Sequence, residues 1–179
     1  MAKIFVSYSR KDSNAAHKLV DSLEEMGHDV WVDWEEISPA VDWLEKIKRG
    51  IEGSDAFVFL VSPHSIKSEV CNVEIGHAAQ NNKRIVPVVL SSVKPEDSNE
   101  IIRKLNWTFI RRGDDYKAGL AKIKDAIELD FEWVDDHNRL QTRALEWDRN
   151  KDDSLLLSGR ELRRVRRILR NAAGKEPEI

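Results

Sequence analysis

Ser65-Ile66-Lys67-Ser68-Glu69-Val70-Cys71-Asn72-Val73-Glu74-Ile75-Gly76-His77-Ala78 stands between two apolar runs. Ala56-Phe57-Val58-Phe59-Leu60-Val61 precedes it, and Ile85-Val86-Pro87-Val88-Val89-Leu90 follows it. Short runs of this kind, without alternation, read as strands buried on both faces. A helix between two such strands, expected at about 68–81, is the crossover of a parallel sheet. On that helix Val70, Val73 and His77, with Cys71, Ile75 and Ala78, form the expected buried side. Glu74 falls among them, four positions after Val70. Such a carboxylate either lies at an edge, reaching solvent or pairing with His77 at i+3, or is put to use.

The alternation continues on both sides. Lys3 to Ser9 is a β-rich run at the start of the chain and is expected to be a central strand. Asp12 or Ser13 suits the cap of a helix with apolar positions Ala15, Ala16, Leu19, Val20, Leu23 and Met26, ended by Gly27. Val30 to Asp33 reads as the second strand and Trp34 to Asp42, with Pro39, as a loop. Trp43, Leu44, Ile47 and Ile51 space a helix that closes near Gly53. After the fourth strand come a polar loop at 91–99, a short strand at 107–110 and a helix at 114–129 carrying Tyr116, Leu120, Ile123 and Ile127. Five strands alternating with helices predict an α/β fold, a parallel sheet with helices on both faces. Such sheets bind ligands beyond the carboxyl ends of their strands, where the strand order reverses. That rule directs attention to Ser7–Lys11, Asp33–Asp42 and Ser62–Glu69.

Beyond Leu129 the pattern changes, so the chain divides into 1–129 and a helical extension at 130–179. Trp133, Leu140, Leu145 and Trp147 suggest one helical region, interrupted at 148–153. Ser158 and Glu161 form a capping box for a last helix with Leu162, Val165, Leu169 and Ala172 along a narrow stripe. Its other faces hold Arg160, Arg163, Arg164, Arg166, Arg167 and Arg170. They are either a solvated face, with the stripe packed on a neighbour, or a contact for a membrane surface or a nucleic acid. The last residues, Gly174 to Ile179, read as a linker toward a further module.

Composition narrows the classes. The chain has 179 residues, 41% hydrophobic and 34% charged, which predicts a soluble globular protein. Its apolar runs are far shorter than a membrane span, and no signal-peptide pattern opens it. Cys71 is the single cysteine, which excludes an internal disulfide and suits a reducing cytoplasm. A net charge of −3 argues against a general nucleic-acid binder. Neither phosphate-loop motif is present. Glu74-x-x-His77 and Glu25-x-x-His28 match di-iron spacing only superficially, and no metal is expected. Cys71 reads as a small buried hydrophobe.

Several segments, taken in order, resemble a TIR (Toll/interleukin-1 receptor) domain over roughly 3–128. They are Ile4-Phe5-Val6-Ser7-Tyr8-Ser9, Asp33-Trp34 through Ile37-Ser38-Pro39 with Trp43, and Gly53-Ser54-Asp55-Ala56-Phe57-Val58 into Val61-Ser62-Pro63. Ser68-x-x-Cys71-x-x-Glu74 and Lys83-Arg84-Ile85-Val86-Pro87-Val88 complete the set. The resemblance is to the bacterial kind, the N-terminal effector module of larger signalling or defence proteins. From about 133 the chain is also similar to the tail that precedes an ATPase or β-propeller module in them.

The resemblance implies a flavodoxin-like five-stranded sheet and one of two functions. Some members cleave NAD+ to nicotinamide and ADP-ribose or cyclic ADP-ribose; others are non-catalytic adaptors that act by TIR–TIR self-association. In the first class Glu74 matches the catalytic glutamate. Tyr8, Ser9 and Arg10 match the loop beside the nicotinamide and phosphates, Trp43 an aromatic of the pocket wall, and Ser68 the start of the motif helix. Trp34, Ile37 and Pro39 lie in the loop used for self-association. The implied partners are NAD+, as substrate rather than cofactor, and other TIR domains in a homo-oligomer or filament, with no nucleic acid and no membrane. The implied setting is the cytoplasm, in antiphage defence. Two positions depart from the pattern: Val70 stands where many enzymatic members have tryptophan, and Ala40 where glycine is frequent. A phosphoacceptor role is not expected, because Ser7 and Ser62 stand where it would need acidic residues.

Overall fold

The computed structural model describes residues 1–33, 42–129 and 131–170, without the side chains at 42, 43, 131 and 132. The chain divides into two compact units, Met1–Leu129 and Asp130–Ile179.

In the first unit, β1 (Lys3–Ser7), β2 (Asp29–Trp31), β3 (Ala56–Val61), β4 (Arg84–Val89) and β5 (Thr108–Phe109) form one parallel sheet in the order β2-β1-β3-β4-β5. This is the flavodoxin-like order, with its reversal between β1 and β3. Every residue of β3 is buried, as its unbroken apolar run predicts.

Alternation along the strands divides the core into two layers. Phe5, Phe57 and Phe59 face α2 (Asp42–Glu52) and α3 (Glu69–Gln80), which contribute Ile47, Ile51, Cys71, Ile75 and Ala78. Phe5 stacks on Trp31 at 4.7 Å and on Phe57 at 5.4 Å between ring centroids. Gly50 lets α2 approach this stack, since a Cβ there would meet the Trp31 ring at 3.2 Å. Ile4, Val6, Val58 and Leu60 are buried on the other face. On that side α1 (Ser13–Glu25) buries Leu19 and Leu23, and α5 (Tyr116–Glu128) buries Ile123 and Ile127.

Two expectations about the crossover helix are corrected. Val70 and Val73 are 38% and 50% exposed. The stripe on the sheet is Cys71, Glu74, Ile75 and Ala78, rotated by about one residue from the expected one. Glu74 does not reach back to His77 either. His77 Nε2 lies 3.1 Å from Glu52 Oε1, at the other end of the helix from the sheet's carboxyl edge.

The second unit contains α6 (Phe131–Asn150) and α7 (Gly159–Arg170). Arg139 and Arg143 of α6 each meet Glu161, at 2.6 Å, and Arg164 meets Asp136 at 2.6 Å. Glu161 therefore does not close the expected capping box with Ser158: both its oxygens are held by guanidinium groups, which offer stronger charge-assisted bonds than a backbone N–H. Among the described residues no helix is long and apolar enough to cross a membrane.

Candidate functional site

The short strand β1 ends at Ser7, buried at 2% exposure, beside the carboxyl end of β3. The chain then turns through Tyr8 and Ser9 into a single 3₁₀ turn at Arg10–Asp12. After β3, a second 3₁₀ turn leads to Ser68, whose Oγ accepts the Cys71 N–H at 3.3 Å and caps α3. That cap sets where α3 begins, and so sets Glu74 in its second turn on the side facing β1.

Glu74 is 6% exposed, and Ser7 Oγ donates to its Oε2 at 2.5 Å. Burial pushes the Glu74 carboxyl up to about 7; the Ser7 bond opposes that rise and the negative charge of Asp33 adds to it. A carboxyl group in this range exchanges its proton near neutral pH, as a general base must, and its ionised form can stabilise developing positive charge.

Glu74 lines a cleft of about 330 Å³ with Phe5, Tyr8, Ser9, Arg10, Lys11, Asp33, Ser68, Val70 and Cys71. The volume lies near the lower end of the range for small-molecule sites. The cleft opens at the carboxyl ends of β1 and β3, the reversal point the sheet order predicts. Its cations, Arg10 and Lys11, lie on the same turn, and Arg10 Nη2 is 3.9 Å from Asp33 Oδ2. Tyr8 donates its hydroxyl to the Asp33 carbonyl at 3.3 Å, and burial is the main cause of its raised pKa.

A partly buried hydrogen bond holds the rim. Ser62 Oγ, at the end of β3, donates to Asp12 Oδ2 at 2.5 Å and accepts the N–H groups of His64 and Ser65 at 3.1 Å. The loops after β1 and β3 are thereby tied together on either side of Glu74. Cys71 is not a nucleophile here: burial pushes its thiol up to about 11, and its Sγ donates to the Tyr8 carbonyl.

Of the residues singled out from sequence, Tyr8, Ser9, Arg10, Ser68 and Glu74 meet in one cleft. Trp34, Ile37 and Pro39, and the side chain of Trp43, lie outside the described residues. Sequence reading missed Ser7 as the partner of Glu74 and Phe5 as a lining group, whereas Asp33 falls in one of the loops the reversal-point rule singles out. Strand alternation holds a usable signal, because Phe5 and Ser7 are two apart and therefore share the α3 face. Among the described residues no group of His, Cys, Asp and Glu could hold a metal ion.

A family model described as the TIR domain matches residues 4–124. Among solved structures, the TIR domain of the Toll-related receptor TRR-2 from Hydra magnipapillata is similar over 70% of this chain and 98% of that one, at 18% identity and a TM-score of 0.56. A TIR-STING receptor from C. gigas, solved in complex with 2′,3′-cGAMP, is 24% identical with a TM-score of 0.57; the match covers 96% of this chain and 52% of that one. This chain thus spans about half the length of that receptor. A prokaryotic SEFIR domain is similar over 71% of this chain and 92% of its own, at 16% identity and a TM-score of 0.53. At these identities the likeness is one of fold. No curated protein matches the chain.

Proposed function

The chain belongs to the TIR domain family, and from that premise we propose that it cleaves the nicotinamide–ribose bond of NAD+, with Glu74 as the catalytic carboxylate. The observation that carries this reading is a glutamate 6% exposed, hydrogen-bonded to Ser7, in the cleft at the sheet's reversal point. An apolar helix stripe tolerates such a group poorly unless its chemistry is used.

The reaction asks little of the protein beyond that group. When the bond from ribose C1′ to the ring nitrogen breaks, its electron pair stays on nitrogen and nicotinamide leaves neutral, so no general acid is needed. Positive charge passes to the ribose, as in glycosidase transition states. The Glu74 carboxylate stabilises that charge at close range in a poorly hydrated site. Water then adds to C1′ and gives up a proton, which Glu74 accepts, leaving ADP-ribose. Attack by an adenine nitrogen of the same molecule gives the cyclic product instead. Arg10 and Lys11, on the cleft rim, are the cations for the pyrophosphate. Trp43 is assigned to the pocket wall on family resemblance.

Self-association through the stretch with Trp34, Ile37 and Pro39 is the proposed activator, as is a cytoplasmic role in bacterial antiphage defence within a larger protein. The exposed Val70 and Val73 support the second reading, an adaptor whose α3 surface serves assembly alone. One experiment separates the two. Nicotinamide release from NAD+ is followed at high protein concentration, with and without a crowding agent, for the native chain and for Glu74→Ala. Release that depends on Glu74 supports the enzyme. No release from protein shown to be assembled leaves the adaptor.

A further inference from the structure

Six arginines lie on α7, all of them exposed, and five form a row on one side: Arg160, Arg163, Arg166, Arg167 and Arg170. Among the described residues none of the five has an ion-pair or hydrogen-bond partner; Arg164, the sixth, is held by Asp136. At 3.6 residues per turn the five fall within an arc of about 120° and run along roughly 15 Å of helix. Members of the row at i+3 and i+4 repel one another, so the isolated helix gains nothing from this arrangement. Away from the row the helix is partly occupied within its own unit, with Leu169 left 42% exposed. Val165 is buried, and Glu161 is held by Arg139 and Arg143.

The geometry points to the phosphate backbone of a nucleic acid as the occupant of this row, bound without regard to base sequence. Three features select that partner. Every cation of the row is a guanidinium, whose planar fork matches phosphate oxygens in pairs, and none is a lysine. The row is a rigid, single-signed stripe along one helix face, the electrostatic footprint of backbone binding. A membrane-surface helix needs a broad apolar face for the acyl boundary, and here Val165 is spent inside the unit, which leaves Leu169 as the one large apolar side chain exposed among the described residues of α7. The net charge of −3 weighs against binding by the chain as a whole, but the row gathers its cations on one face, and the counterions released are those of the phosphates met by these local cations.

The test uses the whole chain and a DNA duplex of arbitrary sequence, about 20 base pairs long, with binding followed by fluorescence anisotropy between about 50 and 200 mM salt. Five phosphate contacts predict a slope of about −4 to −5 for log affinity against log salt. Replacing Arg163 and Arg167 with glutamine keeps good helix formers and removes two contacts, so the slope falls in magnitude by about 2. Affinity then drops at least tenfold while the helical circular dichroism is unchanged. Absence of binding at the lowest salt overturns the assignment, as does a double variant with the native slope. Tighter binding to phosphatidylserine vesicles than to the duplex overturns it in favour of a membrane surface.

Discussion

Ser7 and Glu74 lie 67 residues apart in the chain and share a hydrogen bond of 2.5 Å at the floor of the cleft. The bond joins the last residue of β1 to the second turn of α3. It faces the main effect of burial, which raises the carboxyl pKa, with an opposing one that stabilises the charged form. The balance leaves Glu74 poised between its two forms near neutral pH.

If Glu74 acts as a carboxylate, kcat/KM for nicotinamide release rises with pH through about 7. Ser7→Ala removes the group that favours the charged form, so the inflection moves to higher pH. A charge-assisted bond of this kind is worth about 1.5–3 kcal/mol, or roughly one to two pH units. The pH profile of the variant checks this, and an unmoved inflection would separate Ser7 from the titration of Glu74.

The same carboxyl group leaves a mark on stability. Its folded pKa of about 7 stands above the ordinary 4.5, so between those values the folded state holds more protons than the unfolded one. Unfolding free energy from this group therefore falls as pH rises from about 4.5 to 7, by an amount of order 3 kcal/mol. Glu74→Gln carries no such penalty and gains on the native chain over this window. Urea midpoints at pH 5 and pH 8 measure it. A gap between the two proteins that stays constant with pH is the contrary result.

Gly119 sits on α5 where the helix crosses the end of β5. A Cβ there would stand 2.5 Å from Ile110 Cγ2 and 2.8 Å from the Phe109 carbonyl oxygen. The second obstacle is backbone and cannot turn aside. Gly119→Ala is expected to lose about 1–3 kcal/mol by overpacking, although alanine is the better helix former. Denaturant unfolding provides the check; a stabilised variant would mean that helix propensity outweighs the clash.

Much of the fold is legible in local pattern. The strand at 56–61 has the same limits in the structure, and the helices at 69–80 and 116–128 lie within two residues of their expected ends. The reversal-point rule directs attention to the loops after β1, β2 and β3, and Tyr8, Ser9, Arg10 and Ser68 do meet there. The rotation of α3 was less legible. Two candidate stripes, through Val70 and through Cys71, are both apolar, and hydrophobic spacing alone does not choose between them. Glu161 was misread for a related reason: a capping partner is close in sequence, but Arg139 and Arg143 are closer in space.

The sequence by itself determined the layered α/β architecture, because the period of apolar residues is a local property that each strand and helix carries in its own side chains. It also singled out Glu74, as a carboxylate on an apolar stripe. Only the tertiary structure decided that Ser7 is the residue Glu74 meets and that Val70 and Val73 face outward. Both depend on how α3 is rotated against β1 and β3. The Ser68 cap that starts the helix is a local signal, but the rotation is set by the shape of the packed sheet, which has no counterpart in the spacing of residues along the chain.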